Sequence, residues 1–317
     1  DSVQIPGPIK QAWMAIELSG ALKDKPGARP TKVQREEAKE AVDARCAAEA
    51  EKGNFKRMSV TPVLWDAATE TIYLGSTSEK SNDGCLALLQ SAFDLEFTRV
   101  TSGSLAAEMA ESAEQTAALF AAQPTSFLPD TPGHMVWWNG MGDNYDYLGN
   151  EFLLWLWWQW ETKSDTFALS DGTEVSGMFA RSLSLDCPQG ENGKESISSE
   201  SPVALPEANL AIRMGKLPRK AGLTLVRDSE QFDLTLQAET FSISSARISQ
   251  VGDDTHVREM LDRIESVRQL ADTLDLLYEV FCQARFSKSW PANLKQMTQW
   301  LHSDKPIRKQ SPQNKAA

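Results

Sequence analysis

Residues 221–248 read AGLTLVRDSEQFDLTLQAETFSISSARI. They break into three short runs, Ala221–Val226, Phe232–Gln237 and Phe241–Ile248. Each run alternates apolar and polar residues, and the spacing between runs is that of a meander of half-buried strands. Helical patterns flank the meander. Pro206–Lys216 precedes it as a short helix ending in a Gly-Lys pair. Asp253–Phe286 follows as a long amphipathic helix, with Met260, Leu261, Ile264, Val267, Leu270, Leu274, Leu277 and Phe281 in near-heptad spacing. Pro291–His302 reads as a last short helix. Helices set beside a run of strands predict an α+β fold with antiparallel sheets.

Upstream, Tyr147–Trp160 reads as an aromatic helix with EFLLWLWWQW at residues 151–160. A stretch apolar on most sides is buried on most sides, so these tryptophans are expected in a core or a subunit contact. The alternative use is a stacking platform for single-stranded bases, which needs exposed rings beside cations, whereas this neighbourhood is acidic. Phe167–Leu169, Glu174–Asp186 and a stretch near Ile197 alternate as strands do, and Ser104–Ala122 reads as one helix.

Nearer the N-terminus, Pro8–Leu22 is predicted helical. Thr31–Lys52 is a second, very polar helix with Thr31 as N-cap and Gly53 as its stop, a charged arm of modest burial. Met58–Trp65, Thr71–Gly75, the helix Ser81–Phe93 and a strand Leu95–Val100 predict a small ββαβ module. The expected regions are therefore 1–103 (arm plus module), 104–202 (with the Trp-rich helix), 203–303 (meander and C-terminal helices) and a basic, disordered tail at 304–317.

The chain has 317 residues and a formal net charge of −12, with 41% hydrophobic and 24% charged residues. That suits a globular protein of about two domains and excludes a disordered acidic tail. No apolar run approaches the ~20 residues that cross a bilayer, so no membrane partner is expected. Cys46, Cys85, Cys187 and Cys282 are far apart, which fits a reducing, cytoplasmic compartment and neither a disulfide framework nor a zinc ribbon. The first residue is Asp1, and the expectation is a fragment of a longer chain.

Catalytic motifs are missing. His134, His256 and His302 show no HExxH spacing, and there is no GxSxG elbow or GxxxxGK[ST] loop. Gly140-Met-Gly142 begins like a dinucleotide fingerprint, but Tyr145 stands where the third glycine belongs. No metal or cofactor is expected.

Charge is segregated along the chain. Between Asp130 and Glu200 twelve acids face Lys163, Arg181 and Lys194 alone. Between Val203 and Arg227, Arg213, Lys216, Arg219, Lys220 and Arg227 face only Glu207. An acidic protein still grips phosphate when its cations share one face; a solvated surface is the plain alternative.

Two blocks carry a resemblance. The first is the charged helix, then Asn54–Arg57 (NFKR), a strand ending in Leu64–Asp66 (LWD), Ile72–Leu74 (IYL) and a helix containing Leu86–Leu89 (LALL). The second is Ile212–Lys216 (IRMGK), Lys220 four residues on, Leu223 and Leu225, Phe232–Leu236 and the Ser244–Ile248 strand. In these blocks the chain resembles the RdgC family of recombination-associated DNA-binding proteins, over about two-thirds of its length. The tryptophan helix and the Asp130–Glu200 region are elaborated relative to that family's pattern, and the family's portion ahead of the arm is missing. The resemblance implies a non-enzymatic, nucleoid-associated protein that binds double-stranded DNA without sequence preference. It also implies a ring-like homodimer that modulates homologous recombination by restraining recombinase filaments. Lys216, Arg219 and Lys220, with Arg213, Arg227 and Arg247, are then the expected phosphate contacts. Phe55, with Lys56 and Arg57, is the expected contact between subunits. Two rivals remain from the residues themselves: a protein-interaction module without nucleic-acid affinity, and an enzyme acting through the Gly140–Glu151 loop.

Overall fold

The structure, a computed structural model, describes residues 2–23, 29–58, 60–127, 135–137, 144–190, 193–247 and 256–303, with side chains of the last segment from 260 onward. It is an α+β fold whose strands all pair antiparallel, in two compact units, 1–82 and 83–317. The tail at 304–317 and the Gly140–Asp143 loop lie outside the described residues.

In the first unit β1 (Ser2–Val3) pairs with β2 (Lys56–Arg57), and α1 (Gly7–Ala21) packs on α2 (Lys32–Glu51). The polar arm is helical for a local reason. Thr31 Oγ1 accepts from Gln34 N while the Gln34 side chain accepts from Thr31 N, a reciprocal cap that satisfies two otherwise orphaned donors. Only Ala38 and Val42 of α2 are buried, the modest burial its composition predicts. β3 (Val63–Asp66) and β4 (Thr71–Leu74) form a separate two-stranded ribbon.

α3 (Glu79–Phe93) leads into the second unit. The expected strand Leu95–Val100 is not formed; residues 94–100 pair in no ladder, so the last strand of the predicted ββαβ module is absent among the described residues. The expected helix Ser104–Ala122 is two: α4 (Ser102–Ser112) and α5 (Thr116–Phe120). Glu114 between them has φ 56°, and Gln115 N donates back to Ala110 O at 2.7 Å, a left-handed stop that ends α4.

The rest of the unit is one layer of helices on one sheet. The sheet runs β10 (Ile243–Arg247), β9 (Glu230–Gln237), β8 (Leu217–Arg227), β6 (Glu174–Asp186). Along the far edge of β6 lie β5 (Thr166–Ala168) and β7 (Lys194–Ser199). The predicted meander is β8–β9–β10. The expected divide between 202 and 203 does not exist, because β8 pairs with β6 along most of its length and both feed one core. A strand from each side of that boundary buries its apolar face against the same helix.

That helix is α6 (Leu148–Thr162), lying against β8, β6, α8 (His256–Phe286) and α9 (Trp290–His302). Every residue from Leu148 to Trp158 is buried. Trp157 packs between Phe179 and Trp300, and Trp160 meets Phe179 edge-on at 5.4 Å. Gly177 on β6 admits the Trp160 ring; a Cβ there would run into it. The tryptophans are core, as their pattern predicts. The long helix reaches the core only from Leu270 on: Leu270, Leu274, Leu277, Tyr278 and Phe281 are buried, whereas Met260 and Leu261 are 59% and 58% exposed.

Asp275 of α8 is half-buried beside α4. Burial, with Asp272 and Glu108 nearby, pushes its carboxyl up to about 7. Its folded value lies above its unfolded one, so the native state holds this proton more tightly and stability falls as pH rises from about 4 to about 7. The melting temperature is therefore expected to drop between pH 5.5 and pH 8. Asp275→Asn should flatten that slope and melt higher than the wild type at pH 8. A variant with an unchanged pH slope would show that Asp275 keeps its charge.

Candidate nucleic-acid interface

The cations of the 203–227 window do not form a common solvent-facing cluster. Lys216 is 3% exposed, and its Nζ donates to Glu195 Oε1 at 2.9 Å. Arg219 donates to Glu239 at 2.7 Å, bridges to Asp186 at 3.4 Å and stacks over Trp137 at 4.7 Å. Arg227 is held among Asp171, Asp272 and Asp228. Arg213 donates to the backbone carbonyl of Ser303 at the end of α9. As phosphate contacts Lys216, Arg219 and Arg227 are corrected; Arg213 is half-buried. A buried cation that turns from its carboxylate to a phosphate strands its partner, which is costly. The cause lies in sheet order. β6 and β7 come from the acidic window and lie beside the basic β8, so Asp186 and Glu195 stand next to Arg219 and Lys216. Charges segregated along the chain cancel across the sheet.

Lys220 and Arg247 are different, since both are exposed. Lys220 lies on the sheet face opposite α6, where the alternation of β8 puts it out of phase with buried Ala221, Leu223 and Leu225. Across that face Ser196, Ser184, Lys220 and Gln237 stand directly opposite one another on β7, β6, β8 and β9. In the next rows come Ser182 facing Ser198, and Thr235 facing Ser244. Thr166 and Ser176 share a hydroxyl–hydroxyl hydrogen bond at 2.8 Å. An antiparallel sheet with one face on its helices leaves the other for solvent, and this one is lined with hydroxyls. Ser184 Oγ is buried with no hydrogen-bond partner.

Arg181 of β6 belongs to the same face and is exposed; sequence reasoning missed it, as it missed the hydroxyls. The legible signal was period-two Ser and Thr, at 182 and 184 and again at 196 and 198, the polar counterpart of the apolar alternation that located the strands. The face is mixed in charge: Lys194, Arg181, Lys220 and Arg247 against Glu174, Asp186 and Asp233.

In the first unit, Phe55 is half-buried with φ 58°, and its ring meets Trp13 edge-on at 6.4 Å. Phe55, expected as a contact between subunits, thus keeps part of its surface exposed while its ring meets Trp13 of its own unit. Lys56 and Arg57 are exposed on β2, Arg57 donating to Gln4 Oε1 at 3.2 Å.

Of the loop invoked by the enzyme reading, Asp146 is described, and its carboxylate accepts from Gly103 N at 3.1 Å as a helix-start contact. Among the described residues no three His, Cys, Asp or Glu side chains gather as a metal site, and no helix is long and apolar enough to cross a membrane. Comparison with known proteins finds no family model that matches the chain and no curated protein that matches it.

Proposed function

We propose that this chain is a non-enzymatic protein that binds double-stranded DNA through its phosphate backbone, using the open face of the six-stranded sheet. The observation that carries the reading is the pairing of exposed cations with a hydroxyl-lined surface: Lys220 at mid-sheet, Arg247 on β10, and Ser and Thr at alternate positions between β7 and β10. Hydroxyls and cations are the groups that hold phosphates and sugars, and such contacts carry no sequence information. The RdgC resemblance supports the same reading. It extends it to a homodimer whose contact includes the exposed Lys56 and Arg57.

The double substitution Lys220→Glu/Arg247→Glu is expected to weaken binding to unrelated duplexes equally. It should flatten the log–log salt dependence by about 0.9 for each lost contact. Retardation of two unrelated duplexes at two salt concentrations measures both. Unchanged affinity, or a loss confined to one sequence, refutes the assignment. A wild-type chain retained by no duplex leaves the face as a polar docking surface for protein. Sedimentation of Lys56→Glu/Arg57→Glu tests the dimer contact; an unshifted association constant removes it.

A further inference from the structure

Arg181 is held in an unusual way. Its φ is 67°, a left-handed backbone that non-glycine residues rarely adopt. The ladder between β6 and β8 shifts register between Phe179 and Leu183, so that residues 180–182 stand opposite the single Gly222. The bulge rides directly over that glycine; a Cβ on Gly222 would run into the Ala180 carbonyl oxygen. Bulges of this kind re-aim a side chain, and backbone strain persists where the surrounding structure enforces it. This one sends the Arg181 guanidinium over the open face to Asp233 on β9, Nη2 to Oδ2 at 2.7 Å.

Asp233 is itself gripped from the sheet. Thr224 Oγ1 donates to its Oδ1 at 2.7 Å and Gln231 Nε2 at 3.3 Å, while Arg247 is its register partner on β10. A carboxylate thus sits among a guanidinium, a hydroxyl and an amide, the donor set that also suits a phosphodiester oxygen. The Thr224 hydrogen bond and the Arg181 charge hold the Asp233 carboxyl below the usual range, so protonation at working pH does not release Arg181. Only another anion does. Arg181 is 45% exposed and Asp233 12%, so an incoming anion reaches the cation from solvent while the acid stays behind it. Exposed ion pairs of this kind hold weakly, which leaves exchange accessible.

We propose that Arg181 is a further phosphodiester contact on this face and that Asp233 is its internal competitor, occupying the donors until a backbone phosphate takes its place. The proposal rests on the DNA-binding reading above, and its test separates the two. Duplex binding is titrated at two salt concentrations for the wild type, Asp233→Asn, Arg181→Ala and the double variant, with melting temperatures as the folding control. Asp233→Asn keeps the contact with Thr224 and loses the charge. It is expected to bind about two- to five-fold tighter, because Arg181 no longer has to give up a carboxylate before it meets the phosphate. Arg181→Ala should abolish that gain and, alone, flatten the slope. An Asp233→Asn protein with wild-type affinity overturns the proposal, whether or not the wild type binds. If that variant does not fold, an unchanged slope in Arg181→Ala overturns it instead. Should Lys220→Glu/Arg247→Glu weaken binding while Asp233→Asn gains nothing, the DNA-binding reading stands and the competitor falls.

Discussion

Replacing Arg285 with methionine is expected to destabilise the protein by about 3–5 kcal/mol, the cost of stranding a buried charge. Arg285 near the end of α8 donates from Nε to Glu151 Oε2 at 2.7 Å and from Nη2 to Gln123 O at 2.9 Å. Glu151, on the first turn of α6, has no exposed surface, and its Oε1 accepts from Thr125 N at 2.6 Å. The pair ties α6, α8 and the segment after α5 at one point of the core. Methionine fills part of the space and stacks no charge on Trp290, over which the guanidinium lies at 5.0 Å. The penalty comes from the carboxylate left behind more than from the lost attraction. For that reason Glu151→Gln/Arg285→Met should recover a large part of the loss. Urea denaturation of both variants decides the point. A single variant as stable as the wild type, or a double variant no better than the single, would mean that water reaches Glu151.

Trp155→Ala is expected to cost a comparable 3–5 kcal/mol, as large-to-small changes of a buried aromatic do. Trp155 is 2% exposed, stacks on Phe167 with centroids 5.2 Å apart and meets Phe281 at 5.6 Å. Phe281 belongs to the shared core of sheet and helices and Phe167 packs against it, so neither ring is free to collapse into the space. Thermal melts beside a titration with single-stranded DNA distinguish this from base stacking. A variant with wild-type stability that has lost single-strand binding would restore the stacking role.

The local pattern located the elements wherever the chain's own neighbours decide the conformation. Thr31 and Gln34 cap α2 by bonding to each other, three residues apart. The alternation in 221–248 reflects which side of each strand is wet, and it placed β8, β9 and β10. An all-round apolar run such as Phe152–Trp158 has nowhere to go but inside. Leu95–Val100 alternates equally well and remains unpaired, because a strand exists only when another edge accepts it.

The candidate site shows the same division. Lys216 and Lys220 lie four residues apart in one basic window, and one-dimensional charge treats them alike. The sheet separates them. Pairing with β6 brings the β6–β7 hairpin alongside, so Lys216 is sealed against Glu195 while Lys220 stands among serines on the opposite face. Arg181 lay in the acidic window, where its charge looked neutralised, and the bulge over Gly222 carries it to that same open face. Period-two patterning states which residues share a face of one strand. It does not state which strand, forty residues away, becomes the neighbour, and Coulomb energy depends on that distance. The sequence by itself therefore determined the α+β class, the buried tryptophan helix and the supply of cations. Tertiary pairing alone decided which of those cations remain free to meet an anion.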